Sequence, residues 1–424
     1  MPAITVRNIG PLVDTGRVEI APATLIIGPQ SSGKSTLMKL LCFCNWVEKH
    51  TMLDGDTFLY DYTHYDRFRR TLKKFHRLAD VFFSQNSYLH YEGTAVTIEL
   101  TGVRGNARIT RRPDFEERRH NEKLCFLPAE RSLLSALQNT ERMYRSADVD
   151  LLFNYILEWS EARTLFTLDA PLRFVFDDNL RYYYDRQRDR DMLFLARQSK
   201  PLPTFYASSG VQSALPVSGM ADYVAQAVGK VGSYTPRDLQ TYASNSRNRR
   251  GRRTNNVFGS APDAEALKSA VEELFRYQAF RLYVEEPELN LFPLSQYKLL
   301  LQLISLLKRT NTADAQMTST LVMTTHSPYM LTAFNVLILA AQAAQRNRAA
   351  TERIIPADCL LSPADFMAYG ITDAGNLESL IDKETNLVQG EKLDSISDYV
   401  DELTYKLNGL LYGSDTNEAD CVGL

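Results

Sequence analysis

The feature that most constrains this chain is the run Gly28-Pro29-Gln30-Ser31-Ser32-Gly33-Lys34-Ser35-Thr36, which lies between Ala23–Ile27 (ATLII) and Leu37–Leu41 (LMKLL). The first flank is apolar and β-branched, the composition of a buried strand, and the second begins a good helix former. Strand, glycine loop, helix is the order in which a G-x-x-x-x-G-K-[ST] loop binds phosphate. Gly28 and Gly33 let the backbone curl so that several N–H groups face one anion, and the helix adds its positive N-terminal end. Lys34 is placed to reach the β- and γ-phosphates of a nucleotide, and the Ser35 hydroxyl to ligate Mg2+. Ser31, Ser32 and Thr36 complete the loop.

Two further strand ends carry chemistry. Leu282–Val284 (LYV) runs into Glu285-Glu286-Pro287-Glu288. Carboxylates bunched at the end of a buried strand are costly unless positive charge sits there. A magnesium nucleotide supplies that charge, with Glu285 on the metal's water shell and Glu286 polarising the attacking water. The plainer alternative is a solvated acidic turn, which leaves the apolar lead-in unexplained. Leu321–Thr325 (LVMTT) ends in His326-Ser327-Pro328, with Ser327 suited to a helix N-cap and Pro328 to the first helical position. His326 then stands at a strand's carboxyl end, where ligands of open α/β sheets gather, and a γ-phosphate contact is expected of it. Ala207-Ser208-Ser209-Gly210-Val211-Gln212-Ser213 precedes helical spacing, so Ser209 and Gly210 form a second candidate anion site. One nucleotide rarely needs two such sites in one chain; a second copy would resolve the surplus.

Taken in order, Gly28–Thr36, Ser208–Gln212, Leu282–Glu288 and Thr325–Pro328 resemble the Walker A, signature, Walker B and switch-histidine motifs of ABC-type ATPases. Within that superfamily the chain is similar to the RecF/SMC-like and overcoming-lysogenization-defect branch, on Glu285–Glu288 with Leu289–Pro293 (LNLFP) and on Leu127–Ser132 (LPAERS). The resemblance implies an α/β ABC-ATPase head, a mixed P-loop sheet with an antiparallel β flank. It also implies ATP and Mg2+ held between head-to-tail copies in a homodimer or higher homo-oligomer. Glu286 would be the catalytic base, His326 the switch, Ser35 and Glu285 the metal ligands, and Ser209 and Gly210 the contacts to the partner's γ-phosphate. Glu285 stands where aspartate is commoner, and the usual glutamine after the lobe-ending strand is not evident; Gln85, Glu130 and Arg131 are the candidates for its role.

The motifs divide the chain into an N-terminal lobe (1–131), an insertion (132–205) whose pattern reads as helical and dense in charge, and a C-terminal lobe (206–424). Ile4–Ile27 reads as two strands around a Pro11–Gly16 turn. Helical spacing covers Phe68–Phe83 and Asp263–Phe280, and Thr94–Leu100 pairs with Ala107–Thr110. Past His326 come a helix over Tyr329–Ala344, a hairpin from Asp365–Ile371 and Asn376–Ile381, and a last helix over Lys392–Leu411.

A formal charge of -3 argues against wholesale nucleic-acid coating, and no apolar stretch reaches the ~20 residues of a bilayer span. Scattered cysteines without metal or disulfide spacing suit a reducing cytoplasm. Ser244–Asn256 carries Arg247, Arg249, Arg250, Arg252 and Arg253, a candidate grip for nucleic-acid phosphates, with Tyr182–Tyr184 offering stacking if the fold brings them close. An acidic protein partner or plain solvation are the other readings. Arg67–Arg77 has the periodicity of one exposed helix face. Anti-phage ATPases of this size, AriA-like or PtuA-like, work beside a separate nuclease or toxin effector, and this is the function the resemblance favours. Direct DNA binding in repair or chromosome maintenance is the alternative.

Overall fold

The computed structural model describes residues 1–136, 150–196, 200–233, 264–389 and 402–408, and three sheets organise them. The central one has strand order β16-β15-β4-β14-β13-β8. Its strands are β4 (Ala23–Ile27), β8 (Asn121–Leu127), β13 (Tyr277–Glu285), β14 (Thr320–Thr325), β15 (Phe366–Ile371) and β16 (Leu377–Ser379). All pair in parallel except β16, which returns antiparallel to β15. β4 and β14 are buried on both faces, which is why they read as continuous apolar runs.

Alternation along these strands feeds two cores. Ile26, Val322, Tyr283 and Phe126 face α1 (Lys34–Asp54) and an antiparallel sheet. That sheet has order β2-β1-β5-β6-β7 and is built from β1 (Ala3–Ile9), β2 (Leu12–Asp14), β5 (Phe83–Glu92), β6 (Val96–Thr101) and β7 (Arg108–Arg111), with β3 (Val18–Glu19) also on β1. Two short helices, α2 (Asp56–Tyr62) and α3 (Arg67–His76), join the same core. Leu25, Met323, Leu282 and Cys125 face the other way. There they meet α5 (Leu151–Ala162), α6 (Ser209–Ala227), α8 (Pro293–Thr310) and α9 (Pro328–Thr351). Two further helices are α4 (Leu133–Ala136) and α7 (Ala264–Phe275). The expected α/β architecture, a mixed sheet bearing the phosphate loop with an antiparallel flank, is the one observed.

A buried polar chain ties the layers. Tyr283 Oη donates to Asn45 Oδ1 (2.6 Å), Asn45 Nδ2 donates to Tyr91 Oη (2.5 Å), and Tyr91 Oη donates to Glu48 Oε2 (2.6 Å). It links the central sheet through α1 to β5. Glu48 Oε1 also accepts from the Ala95 amide, and burial raises its pKa against those hydrogen bonds.

Several expectations need correction. The insertion is not helical throughout: after α5 it forms an antiparallel sheet of β9 (Leu172–Phe174), β10 (Asp177–Asp185), β11 (Arg190–Leu195) and β12 (Leu202–Pro203). Leu180 and Tyr182 alternate inward against Trp159 and Phe166, a period of two that the charged residues mask in the sequence. Ile4–Ile27 makes four strands, because the chain already reverses at Gly10 (φ +57°). Helix α3 stops at His76, where Arg77 turns left-handed (φ 54°), and Phe83 opens β5. Helix α7 ends at Phe275, and Tyr277–Phe280 belong to β13, pulled into strand by pairing with β8. Asp263, the arginine loop and most of Lys392–Leu411 lie outside the described residues, although 402–408 are helical. The pairing of β6 with β7 and the β15–β16 hairpin are as expected.

Asn45→Leu should leave the Tyr283 and Tyr91 hydroxyls without their shared partner and cost about 2–4 kcal/mol. A fall in the chemical-denaturation midpoint measures it; an unchanged midpoint would count against the chain as a structural tie.

Candidate functional site

The register of the parallel strands brings the sequence motifs to one rim. Thr325 stands beside Ile27, Glu285 beside Thr324, and Val284 beside Leu127. Gly28, His326, Glu286 and Pro128 therefore leave the sheet together at its carboxyl edge.

In the phosphate loop, Ser31 (φ 63°) and Gly33 (φ 108°) take left-handed conformations, and Gly33 caps α1 without any side-chain bond to the first turn. No acidic residue sits in that turn, so the helix end stays electropositive. Lys34 is buried and donates to the Gly28 and Pro29 carbonyls (2.8 and 2.7 Å). Burial lowers its pKa to about 8, with Glu286 and Glu288 pulling the other way. The Ser32 hydroxyl is buried without a partner.

The acidic side of the rim is held almost as tightly. Glu285 is buried; Oε2 accepts from the Ala129 amide (3.0 Å), the neighbouring Ser35 favours the charged form, and Oε1 has no hydrogen-bond partner. Burial raises its pKa, opposed chiefly by Lys39. Glu286 has φ 45°, a costly conformation for a non-glycine residue. Its carboxylate Oε1 lies 3.2 Å from His326 Nε2. Glu288 Oε1 accepts from the Thr325 hydroxyl (2.7 Å) and the His326 amide (2.8 Å), and its buried Oε2 has no partner. Ser327 caps α9 by backbone position alone: its hydroxyl donates to Gln296 instead.

Unpartnered Ser32 Oγ, Glu285 Oε1 and Glu288 Oε2 around a desolvated lysine are a donor–acceptor set that a phosphate with a divalent cation would complete. Ser35 and Glu285, already in contact, are the residues that would hold Mg2+, which would neutralise phosphate charge.

Arg131 does not fill the missing glutamine's role. It is fully buried, donating from Nη1 to the Glu285 carbonyl (2.5 Å), from Nη2 to the Glu286 carbonyl (2.6 Å) and from Nε to the Ser213 carbonyl (3.1 Å). It is a clasp between the acidic strand end and α6, and it holds Glu286 in its left-handed turn. Sequence reasoning missed this function, for which LPAERS offers no signal beyond an arginine beside an apolar strand. Gln85 is exposed on β5 of the antiparallel sheet. Glu130 is exposed, and its charge helps raise the Glu285 pKa.

Ser209 and Gly210 open α6, where Ser208 makes no side-chain cap. Gly210 lies against Asn290 and Leu291: a Cβ there would come 2.8 Å from the Asn290 carbonyl. Asn290 Nδ2 donates to Ser213 Oγ (3.0 Å). Ser208 and Ser209 are exposed, and exposed Phe292 and Leu294 follow on the adjoining turn. The signature segment thus adjoins the acidic loop's far side, with its helix end open to solvent.

Tyr182 is buried, and Tyr184 lies under the Arg163 guanidinium (4.2 Å), so neither is a free stacking platform. Arg247, Arg249, Arg250, Arg252 and Arg253 lie outside the described residues. On α3, Arg67 and Lys73 pair with Asp61 and Asp80 at the surface, whereas Arg69 is buried, pairing with Asp66 and donating to the Val103 carbonyl (2.7 Å), so the basic residues do not all share one exposed face.

No family model and no curated protein matches this chain. Among solved structures it is similar to an SMC head bound to the C-terminal winged-helix domain of ScpA (10% identity, 89% of this chain and 97% of that one, TM-score 0.39). It is also similar to the SMC head domain from Thermotoga maritima (12%, 78% and 90%, TM-score 0.32) and to the recombination mediator RecF (11%, 89% and 97%, TM-score 0.33). With TM-scores below 0.5, the fold assignment rests on strand order and site geometry. No described helix is long and apolar enough to cross a membrane.

Two outcomes follow. Arg131→Met should strip donors from the Pro128, Ser213, Glu285 and Glu286 carbonyls and cost about 3 kcal/mol or more, seen as a lower Tm; an unchanged Tm would refute the clasp. An anion at the loop should also raise the depressed Lys34 pKa. Binding of sulfate, which does not titrate near this pH, should at pH 8.5 then take up a fraction of a proton, seen in calorimetry across buffers of different ionisation enthalpy. Lys34→Arg should abolish the uptake. Uptake that persists there would place the titrating group elsewhere.

Proposed function

We propose that this chain is an ABC-type ATPase that binds and hydrolyses ATP with Mg2+ between two head-to-tail copies. The observation that carries the reading is the convergence of Lys34, Ser35, Glu285, Glu286 and His326 on one sheet edge, with buried acceptors left unsatisfied there. Gly28–Thr36 cradle the phosphates, and Lys34 exchanges two loop carbonyls for phosphate oxygens. Glu286 takes the proton of the attacking water. His326, in contact with Glu286, orients that carboxylate and reaches for the γ-phosphate.

The two-copy arrangement is supported by the open N-terminus of α6 and by the exposed apolar side chains beside it. Ser209 and Gly210 of one copy would close the phosphate site of the other, burying Phe292 and Leu294. Glu286→Gln should then hold ATP in a long-lived dimer with turnover almost lost, read by light scattering and phosphate release. Lys34→Ala should abolish nucleotide binding. Normal hydrolysis by Glu286→Gln would move the base elsewhere, and unchanged ATP affinity in Lys34→Ala would sink the loop assignment.

As its biological role we propose the regulatory core of an anti-phage system acting on a separate nuclease or toxin. The reading rests on the resemblance of its motifs; among the described residues after His326, α9, β15 and β16 belong to the head's own sheet and core. The three-part division at 131/132 and 205/206 belongs to the same proposal. Affinity capture from native cells followed by mass spectrometry tests it: a nuclease or toxin should co-purify. Tight, steeply salt-dependent duplex binding by the chain alone would favour the DNA-maintenance reading instead.

A further inference from the structure

The ledger of buried charge leaves a second place unexplained, away from the phosphate loop and independent of the nucleotide reading. Between α1, α3, the edge strand β8 and α5 lies a cavity of about 290 Å³. Its apolar wall is aromatic, with Phe43 and Trp46 from α1, Phe75 from α3 and Phe126 from β8. A volume just below the roughly 300–1,000 Å³ of drug-sized pockets suits a small ligand, and flat walls suit a planar one.

Its polar groups do not balance. Lys123 pairs with Glu158 at 3.8 Å, which leaves Glu158 Oε2 buried without a partner. Lys49 donates to the Glu122 carbonyl (2.7 Å) and lies 5.2 Å over the Tyr277 ring, but has no carboxylate partner among the described residues. His76 is 1% exposed, its Nδ1 has no partner, and burial keeps the ring neutral. Two ammonium groups and one carboxylate thus line the cavity, and the Glu122 and Asp54 carboxylates also act on Lys49, whose pKa burial lowers to about 8. Packing alone gives no reason to retain these groups, since each unmet buried polar atom costs about 1–3 kcal/mol. Water could satisfy His76 and Glu158; an anion on Lys49 would in addition offset the burial that depresses its pKa.

We propose that this cavity binds a small planar organic monoanion, its acidic group on Lys49 and its ring between Trp46 and Phe126, with polar edge atoms toward Glu158 and His76. No bond is made or broken; the site is a receptor site. Lys49 and Trp46 stand on the helix that begins at Lys34, so an occupant would touch the element that carries the phosphate loop.

The test uses 2-naphthoate and its neutral isostere 2-naphthamide, titrated calorimetrically into the full chain. One molecule of 2-naphthoate should bind per chain, more tightly than the amide, and should quench the emission of Trp46. Lys49→Met should weaken naphthoate at least tenfold and leave the amide unchanged, while Asn154→Trp, filling the cavity from α5, should remove both. Circular dichroism checks that each variant folds, and the quenching in the unmodified chain stands whether or not they do. No saturable naphthoate binding at millimolar concentration, equal affinity for acid and amide, or full binding by Lys49→Met would each overturn the proposal.

Discussion

The constraint on which the rest depends is the parallel register of β4, β14, β13 and β8. It sets Ile27, Thr325, Glu285 and Leu127 at nearly one level, so four loops leave the sheet side by side. A slip of one residue in β13 would reverse its faces. Tyr283 would leave the polar chain to Asn45, Leu282 and Val284 would leave the opposite core, and Glu285 would leave Ser35. The alternation that fills two hydrophobic cores is therefore the same alternation that positions the carboxylates. Stability and site geometry are set by one choice of pairing.

The middle of β13 and its carboxyl end handle buried charge in different ways. In the middle Arg281 donates to Glu122 Oε1 (2.5 Å), and His120 Nε2 lies 3.0 Å from the same oxygen. That cluster drives the Glu122 pKa down despite burial. Its charges are paired, although Arg281 Nε has no hydrogen-bond partner. At the carboxyl end Glu285 has its pKa raised, Lys34 has its own lowered, and three acceptors or hydroxyls lack partners. Arg131 spends its donors on backbone carbonyls, leaving the carboxylates uncompensated. Unmet charge at the strand's carboxyl end, against paired charge in its middle, is the physical difference between a binding rim and a structural cluster.

Much of this was legible in the chain. Gly28–Thr36 between an apolar strand and a helix former is local chemistry, and so are the acidic strand end and Ser327-Pro328 before α9. Where the reading failed, a long-range partner overrode a local signal. Tyr277–Phe280 continue a helical pattern until β8 recruits them into β13. The insertion's charges hide an alternation that only Trp159 and Phe166 make visible, because inward and outward faces are defined by what lies opposite. Arg131 looks like a polar residue free to contact ligand, yet three carbonyls remote in sequence consume it.

By itself the sequence determined the α/β class, the phosphate loop and the kinds of side chain at each strand end, because these follow from spacing within a few residues. Tertiary structure alone decided that those ends meet, that Glu286 touches His326 while Gly210 lies against Asn290 and Leu291, and that Lys49 lines a cavity beside Trp46 and Phe126. Such facts depend on pairing register and burial, and both are properties of residues far apart in the chain.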